Sequence, residues 1–385
     1  MPTDKELMQR FPAISDLRAQ AQRRMPHFAW EFLDSGTGAD AAAGRNQDAF
    51  TRVRMLPRFM QGQFQPDIST ELFGSKYSAP FGISPVGMNS LVWPGTDRIL
   101  ARAAAATGIP YTMSSAANDT IETLGALAGG MGWFQLYPPR NSNVRADLLH
   151  RARESGFTTL LVTVDVPVIS RRERQMRAGV GAGSVTAKML WDVLRRPSWA
   201  LATWREGQPR LPSLERYSPS DDLAKFLAFV GEELNGTFDW DYLDAVRAEW
   251  DGPLVLKGVL DPQEALQAVE HGVDGILVSN HGGRQLDGAL SSIEALPAVA
   301  QAVAGRAKVL LDSGVRSGMD IARALALGAD FVMLGRAFMF GTAALGERGG
   351  LHTENLLRQD LLNVMSNLGC RDVAQLAQRI VGEDA

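Results

Sequence analysis

Cysteine is almost absent from this sequence. Its 385 residues include one, Cys370, so an internal disulfide is excluded. No Cys-x-x-Cys or His-Glu-x-x-His spacing occurs either, and we therefore expect no metal site. Low cysteine usage is typical of the reducing cytoplasm, where we expect the protein.

Long apolar runs and an excess of charge are also missing. No stretch of about 18 uncharged apolar residues occurs, which excludes a membrane-spanning helix. The polar opening Met1–Glu6 lacks the apolar core of a signal peptide. A net charge of −4 disfavours nucleic acid as a partner, while 45% hydrophobic residues suffice for a large globular core.

Short apolar runs alternate with amphipathic stretches from about Phe81 onward, the pattern of repeated βα units. The amphipathic stretches are Asp97–Thr107, Val144–Ser155, Pro262–His271 and Met319–Leu327. Eight apolar runs predict an α/β fold, a (β/α)8 TIM barrel over about 81–345, within one domain of 385 residues. The runs are Phe81–Pro85, Pro110–Ser114, Trp133–Leu136, Thr159–Val164, Leu254–Lys257, Gly275–Ser279, Val309–Asp312 and Phe331–Gly335.

The remaining segments lie outside this repeat. Residues 1–80 predict helices followed by an extended segment, Phe64–Ser78, that caps the barrel floor, and Leu351–Ile380 predicts closing helices. A gap of about 173–252 after the fourth run is too long for a simple crossover and indicates an insertion. Its second half, Asp221–Val230 and Asp239–Trp250, looks helical.

The first half of the insertion mixes tryptophans with arginines. Trp191, Trp199 and Trp204 lie within 185–210 beside several basic residues. Such a segment can lie in a membrane interface, or it can be a lid that packs its tryptophans onto the barrel or a neighbouring subunit. Both interpretations stay open.

The sixth run opens into Ser279-Asn-His-Gly-Gly-Arg-Gln-Leu-Asp287. Barrels of parallel strands place their chemistry at the carboxyl ends of the strands, where His281 can take a proton and Arg284 can grip an anion. The alternative is a polar turn with a solvated histidine.

Two glycine-rich loops follow the seventh and eighth runs. Asp312–Gly318 contains Gly314 and Arg316, and Gly335 precedes Arg336. Backbone N–H groups and two guanidiniums there predict a phosphate site, although surface ion pairs would also explain the arginines. The stretch Gly179–Gly183 follows no strand and favours a flexible loop over a dinucleotide site.

Lys257 ends the fifth run among apolar neighbours. A buried ammonium needs a negative partner, so Lys257 is expected to face an anionic cofactor or to form a Schiff base.

Together, Ser279–Asp287, Lys257 and the phosphate loops resemble the FMN-dependent α-hydroxy-acid oxidases and dehydrogenases, which include glycolate oxidase, L-lactate dehydrogenase and (S)-mandelate dehydrogenase. The resemblance covers nearly the whole chain. It implies that His281 removes the α-proton or assists hydride transfer, and that Asp165 pairs with this base. It also implies that Arg284 and Arg172 hold the substrate carboxylate and that Tyr137 hydrogen-bonds the substrate.

The resemblance also implies FMN as cofactor. Lys257 would lie against the flavin N1 and C2 carbonyl, where negative charge develops on reduction. The other expected contacts to the ring, ribityl chain and phosphate are Ser84, Pro85, Val86, Gly87, Ser114, Gln135, Thr163, Ser279, Asp312, Gly314, Arg316, Gly335 and Arg336. A homotetramer is an expectation from the resemblance alone.

Two positions depart from the family pattern. Phe32 stands where the family usually has a substrate-binding tyrosine, and Ala116 where the glycolate-oxidase branch has a tryptophan. The first change removes a hydrogen bond to the carboxylate, and the second leaves room for a side chain larger than that of glycolate. Gly87, Ser313 and the tryptophan-bearing insertion resemble the mandelate-type dehydrogenases.

We therefore expect oxidation of a lactate- or mandelate-like L-2-hydroxy acid, with electrons passed to a quinone-type acceptor at the inner face of the membrane. An oxidase that reduces O₂ to peroxide is the alternative. An inosinate-dehydrogenase-like barrel would need a cysteine in an active loop, whereas Cys370 lies in the tail. A flavin-binding module without turnover would show no bleaching with any 2-hydroxy acid.

Overall fold

In a computed structural model, which describes residues 3–180, 186–220, 222–234, 236 and 238–381, four helices and an antiparallel hairpin precede the barrel. A capping box between Thr3 and Glu6 starts the first helix. The elements are α1 (Asp4–Arg10), α2 (Ile14–Arg24), α3 (His27–Asp34), α4 (Ala41–Arg52), β1 (Thr70–Leu72) and β2 (Ser75–Tyr77).

The hairpin closes the floor of the barrel, as the sequence predicts. Leu72 and Tyr77 are buried in one cluster with Trp133 and Phe331, which belong to the first residues of their strands. The indole Nε1 of Trp133 donates to the Tyr77 hydroxyl at 3.0 Å, so the buried polar atoms of both rings are satisfied. The opposite end of the barrel is thus left for function.

Eight parallel strands form the predicted closed barrel, and each predicted boundary is within two residues of the observed one. Both faces of these strands are covered, which explains their nearly unbroken apolar sequences. The strands are β3 (Phe81–Ile83), β4 (Tyr111–Ser114), β5 (Gly132–Leu136), β6 (Thr159–Thr163), β7 (Leu254–Val259), β8 (Gly275–Val278), β9 (Lys308–Leu311) and β10 (Phe331–Leu334).

Helices cover the outside of the first half of the barrel, and the amphipathic stretches predicted there are confirmed. They are α5 (Asn89–Val92), α6 (Thr96–Thr107), α7 (Ile121–Ala128) and α8 (Ser142–Glu154).

The insertion between β6 and β7 is helical in both halves, of which the sequence predicted the second. It contains α9 (Glu173–Arg177), α10 (Ala187–Leu194), α11 (Pro197–Glu206), α12 (Pro212–Glu215), α13 (Leu223–Glu233) and α14 (Trp240–Glu249). Gly181–Gly183 of the glycine-rich stretch and Asp221 lie outside the described residues.

The three tryptophans within residues 185–210 do not behave alike. Trp199 is buried, donates from Nε1 to the Val92 carbonyl at 3.2 Å and meets the Phe28 ring edge to face. Trp191 and Trp204 are 62% and 80% exposed. The lid interpretation therefore holds for Trp199, whereas the two exposed rings are available to another surface. No helix of the described residues is long and apolar enough to cross a membrane.

The second half of the barrel and the tail complete the fold. The α-helices are α15 (Pro262–Glu270), α16 (Ser292–Val303), α17 (Gly318–Ala326), α18 (Arg336–Leu345) and α19 (Gly349–Leu368). The tail, predicted as helical, ends in a 3₁₀ helix over Val373–Arg379, and a further 3₁₀ turn spans Gly346–Arg348.

Candidate active site

A histidine and a carboxylate meet at the mouth of the barrel. His281, three residues beyond β8, has a left-handed backbone with φ of 57°, and its Nδ1 lies 2.9 Å from Oδ1 of Asp165, just beyond β6. A proton on Nδ1 satisfies this pair and leaves Nε2 as an acceptor. That nitrogen lies 3.4 Å from the hydroxyl of Tyr137, on the side of the cavity. The pair can therefore serve as an oriented general base.

The electrostatics of this pair favour a neutral imidazole beside an ionised carboxylate. Burial lowers the pKa of His281, and Asp165 opposes that lowering. Burial raises the pKa of Asp165, but the neighbouring His281 and Lys257 outweigh it and hold that pKa below its ordinary value. The neutral imidazole of His281 can therefore accept a proton, and Asp165 would stabilise the resulting imidazolium.

Arginines line the cavity, and their guanidiniums donate to uncharged acceptors. Arg284 donates to the carbonyls of Phe32 at 2.8 Å and Ser35 at 3.3 Å. Arg336 donates to the carbonyls of Leu33 and Gly282 and shares that of Ser35 with Arg284, at 2.7 to 2.9 Å. Arg172 has longer contacts, 3.2 Å to Ser170 Oγ and 3.4 Å to Gln285 Oε1. These acceptors are uncharged, so the guanidiniums retain their attraction for an anion.

Burial and repulsion between these arginines lower the pKa values of Arg284 and Arg316. Burial, with repulsion from Arg172 and Arg336, holds the pKa of Arg284 well below its ordinary value. Burial, with repulsion from Arg336, lowers the pKa of Arg316 to about 9. Anionic groups bound in this cavity would relieve both effects.

Lys257 is the buried ammonium of the site. Its Nζ lies 3.3 Å from Ser279 Oγ and 3.9 Å from Asp312 Oδ2. Burial lowers the pKa of Lys257, but Asp165 and Asp312 outweigh that effect and raise it. The predicted negative partner is thus present, and the lysine stays charged.

The loop after β9 has the backbone shape of an anion site. Ser313 and Gly314 have φ of 75° and 96°. A Cβ on Gly314 would lie 2.2 Å from the carbonyl oxygen of Asn46, so a glycine is required there. Ser313 Oγ accepts from the Gly282 amide at 2.9 Å, which joins this loop to the loop after β8.

The structure brings most predicted site residues to one cavity of about 250 Å³. The predicted residues that line it are Phe32, Ser84, Pro85, Val86, Gly87, Tyr137, Arg172, Lys257, His281, Arg284, Asp312, Gly314, Arg316, Gly335 and Arg336. The others lie behind the lining. Ser114 donates to Gln135 at 2.8 Å, and Gln135 donates to Thr163 at 2.9 Å. Ser279 contacts Lys257, and Asp165 contacts His281.

Some lining residues were not among the predicted site residues. They are Leu33, Met88, Ala116, Gly282, Ser313, Val315, Met333 and Leu334. Gly282 and Ser313 lie inside the two loops already singled out and could have been included. Met88 has a left-handed backbone with φ of 56°, and its residue type gives no signal of this.

Comparison with known proteins gives consistent results. A family model described as FMN-dependent dehydrogenase matches residues 21–383. L-lactate dehydrogenase of Ectopseudomonas mendocina (strain ymp) is 38% identical over 371 residues, which cover 96% of this chain and 98% of that protein. The L-lactate dehydrogenase of Alcaligenes faecalis is 38% identical over 369 residues, 95% of this chain and 97% of that protein.

Solved structures agree in shape. The crystal structure of the monotopic membrane protein (S)-mandelate dehydrogenase superposes with a TM-score of 0.91 at 35% identity, over 96% of this chain and 99% of that chain. A mandelate oxidase superposes with a TM-score of 0.82 at 32% identity, over 96% and 98% of the two chains.

Proposed function

The chain belongs to the family of FMN-dependent dehydrogenases, and from that premise we propose that it oxidises a lactate- or mandelate-like L-2-hydroxy acid to the 2-oxo acid and passes the electrons to a quinone-type acceptor. The observation that carries this proposal is the Asp165–His281 pair at the cavity wall, with the guanidiniums of Arg172 and Arg284 beside it.

The residues of the cavity fit FMN. The lowered pKa of Arg316 and the surplus of guanidiniums call for a phosphate, and Arg336 and the loop at Gly314 would share in holding it. Ser84 Oγ is buried at the cavity wall without a hydrogen-bond partner, so it is available to a ligand. Lys257, kept charged by two carboxylates, would face the flavin N1 and C2 carbonyl.

Other predicted flavin contacts are assigned by position. Pro85, Val86, Gly87 and Gly335 form the cavity wall beside Ser84 and would lie against the ring or ribityl chain, with Asp312 beside the ribityl chain. Ser114 and Thr163 hold the side-chain amide of Gln135 by hydrogen bonds on both sides, next to the cavity lining. FMN, when bound, supplies the two-electron oxidant of the reaction.

The substrate is held by its carboxylate. Arg284 and Arg172 would bind that group with charge-assisted hydrogen bonds, and Tyr137 would hydrogen-bond the substrate. His281 Nε2 then takes one proton, from the hydroxyl while hydride leaves C2 or from C2 itself, and Asp165 stabilises the imidazolium. Two electrons and two protons leave the substrate in either case, which balances the conversion of an alcohol to a ketone.

A dehydrogenase is favoured over an oxidase by the likeness in shape, a TM-score of 0.91 to the mandelate dehydrogenase against 0.82 to a mandelate oxidase. The exposed Trp191 and Trp204 support a peripheral position at the cytoplasmic face of the membrane, where a quinone is available. By family resemblance we also propose a homotetramer, which native mass spectrometry would test.

The acceptor is tested with one substrate and two oxidants. With (S)-mandelate or L-lactate, a soluble quinone analogue under nitrogen should support fast turnover, while O₂ alone should yield little peroxide. Rapid formation of one peroxide per 2-oxo acid would instead establish the oxidase.

A further inference from the structure

The segment 31–42, which comprises the last turn of α3, the connection to α4 and the first residues of α4, lies between the two loops that bear Arg284 and Arg172. On the Arg284 side, Thr37 N donates to the Gly283 carbonyl at 3.0 Å, and the carboxylate of Asp287 accepts from the amides of Ala39 and Ala42 at 2.9 and 2.8 Å. The segment is therefore fixed to the loop after β8.

The other side of the segment 31–42 holds the start of α9, directly beyond Arg172. Gln175 Nε2 donates to Ser35 Oγ at 3.1 Å, and Glu173 Oε2 accepts from the Gly38 amide at 2.9 Å. A Cβ on Gly38 would lie 2.7 Å from an oxygen of Asp287, so at this residue the segment also packs closely against the loop after β8.

Arg174 is the charged centre of this contact. Its guanidinium lies 2.6 Å from Glu31 Oε2, 2.6 Å from Asp40 Oδ2 and 3.3 Å from Asp34 Oδ2. Burial lowers the pKa of Arg174, but Glu31 and Asp40 outweigh it and raise that pKa. The carboxylates of Glu31 and Asp34 are only 10% exposed, so this network is less screened than a surface pair.

Arg172 has no comparable anchor of its own among its hydrogen bonds, which are 3.2 and 3.4 Å long. It lies at the N-cap of α9, a helix of five residues, which is too short to be stable alone. The direction of the Arg172 side chain therefore depends on what holds the beginning of α9.

We propose that Arg174 is a positioning residue for the reaction: it ties α9 to the segment 31–42 and thereby holds Arg172 over the cavity. This inference rests on the proposed function, in which Arg172 binds the substrate carboxylate. Arg174 does not line the cavity, and it acts through Arg172.

The test compares Arg174→Gln and Arg174→Lys with Arg177→Gln, which replaces an exposed arginine of the same helix. Arg174→Gln should raise the substrate KM roughly tenfold, with a smaller change in kcat and no loss of FMN. Lysine keeps the charge without the fork, so it should restore part of the KM. Arg177→Gln should leave both constants near those of the native enzyme.

A double-mutant cycle with Arg172→Met separates positioning from simple support. If Arg174 acts through Arg172, Arg174→Gln should cause no further rise in KM once Arg172 is methionine. Fully additive effects, or a lower melting temperature with unchanged KM, would overturn the inference. If Arg174→Gln does not fold, Asp40→Asn takes its place, because it removes one of the carboxylates that bind Arg174. Asp40→Asn should raise the substrate KM in the native background and cause no further rise beside Arg172→Met. An unchanged KM for Asp40→Asn would also overturn the inference.

The same cycle tests the proposed role of Arg172 and the proposed role of Arg174 separately. Arg172→Met with an unchanged KM would contradict the proposed role of Arg172. A raised KM for Arg172→Met with a native KM for Arg174→Gln would contradict the positioning role alone.

Discussion

The guanidinium of Arg284 lies over the ring of Phe32, 5.4 Å from the ring centroid, and donates to the carbonyl of the same residue at 2.8 Å. The end of α3 thus supplies an aromatic face and a carbonyl to the arginine that would bind the substrate carboxylate, but it supplies no hydroxyl.

Phe32→Tyr should therefore tighten substrate binding. A hydroxyl at this cavity wall can add one hydrogen bond to a carboxylate, worth about 1.5 to 3 kcal/mol, so KM should fall roughly tenfold to a hundredfold. Steady-state kinetics measure this, with Phe28→Tyr, on the same helix but against Trp199, as the control. An unchanged KM would mean that the substrate carboxylate does not approach Phe32.

Asp165→Asn should move the pH profile as well as lower the rate. A base must be neutral to take a proton, so kcat/KM rises with pH through the pKa of His281, which burial lowers and Asp165 raises. Removal of the carboxylate charge lowers the pKa of His281 further, so the acid limb should shift to lower pH while the plateau falls about a hundredfold or more.

The control for this experiment is a second histidine–carboxylate pair. Asp244 Oδ1 lies 2.7 Å from His271 Nδ1 outside the cavity, so Asp244→Asn should leave the profile as it is. A shift of the Asp165→Asn acid limb to higher pH would contradict the role of Asp165.

Arg316→Ala should weaken FMN binding more than it slows the saturated enzyme. The phosphate would lose a charge-assisted contact worth about 1.5 to 3 kcal/mol, so the Kd for FMN should rise roughly tenfold to a hundredfold. Fluorescence titration of the flavin-stripped protein measures this Kd. Arg306→Ala, at an exposed position before β9, should have no effect, and an equal Kd for both variants would remove Arg316 from the phosphate site.

Trp191→Ser with Trp204→Ser should reduce binding to vesicles of anionic phospholipid without loss of stability, since both rings are exposed. Trp199→Ala should instead lower stability and leave vesicle binding unchanged, because loss of a buried tryptophan costs about 3 to 5 kcal/mol of unfolding free energy. Flotation assays and thermal melts separate the two outcomes. Unchanged flotation of the double variant would leave the membrane proposal without support.

The barrel could be predicted from the sequence because each strand is buried on both faces and its composition records this. The site loops with His281, Arg316 and Arg336 could be predicted as well, since charged side chains directly after buried strands lie at the carboxyl end of the barrel, where such barrels place their chemistry. The phase of α10 and α11, which buries Trp199 and exposes Trp191 and Trp204, depends on packing and has no such local signal.

Other features were also beyond sequence reasoning. Arg284 and Arg336 donate to backbone carbonyls of Phe32, Leu33 and Ser35, and a carbonyl acceptor is present at every position of a chain. Which carbonyls face the site is decided by the tertiary fold. The ion pairs of Arg174 with three carboxylates of another segment were missed for the same reason.

The most direct test of the account is anaerobic flavin reduction by (S)-mandelate or L-lactate in the native enzyme and in His281→Ala, followed by stopped-flow absorbance. His281→Asn serves as a second variant, because asparagine tolerates the left-handed backbone at this position. Both variants should retain FMN, since in the proposed site the imidazole would face the substrate and not the phosphate, and both should lose nearly all bleaching. Bleaching at the native rate in either FMN-loaded variant would show that His281 is not the base.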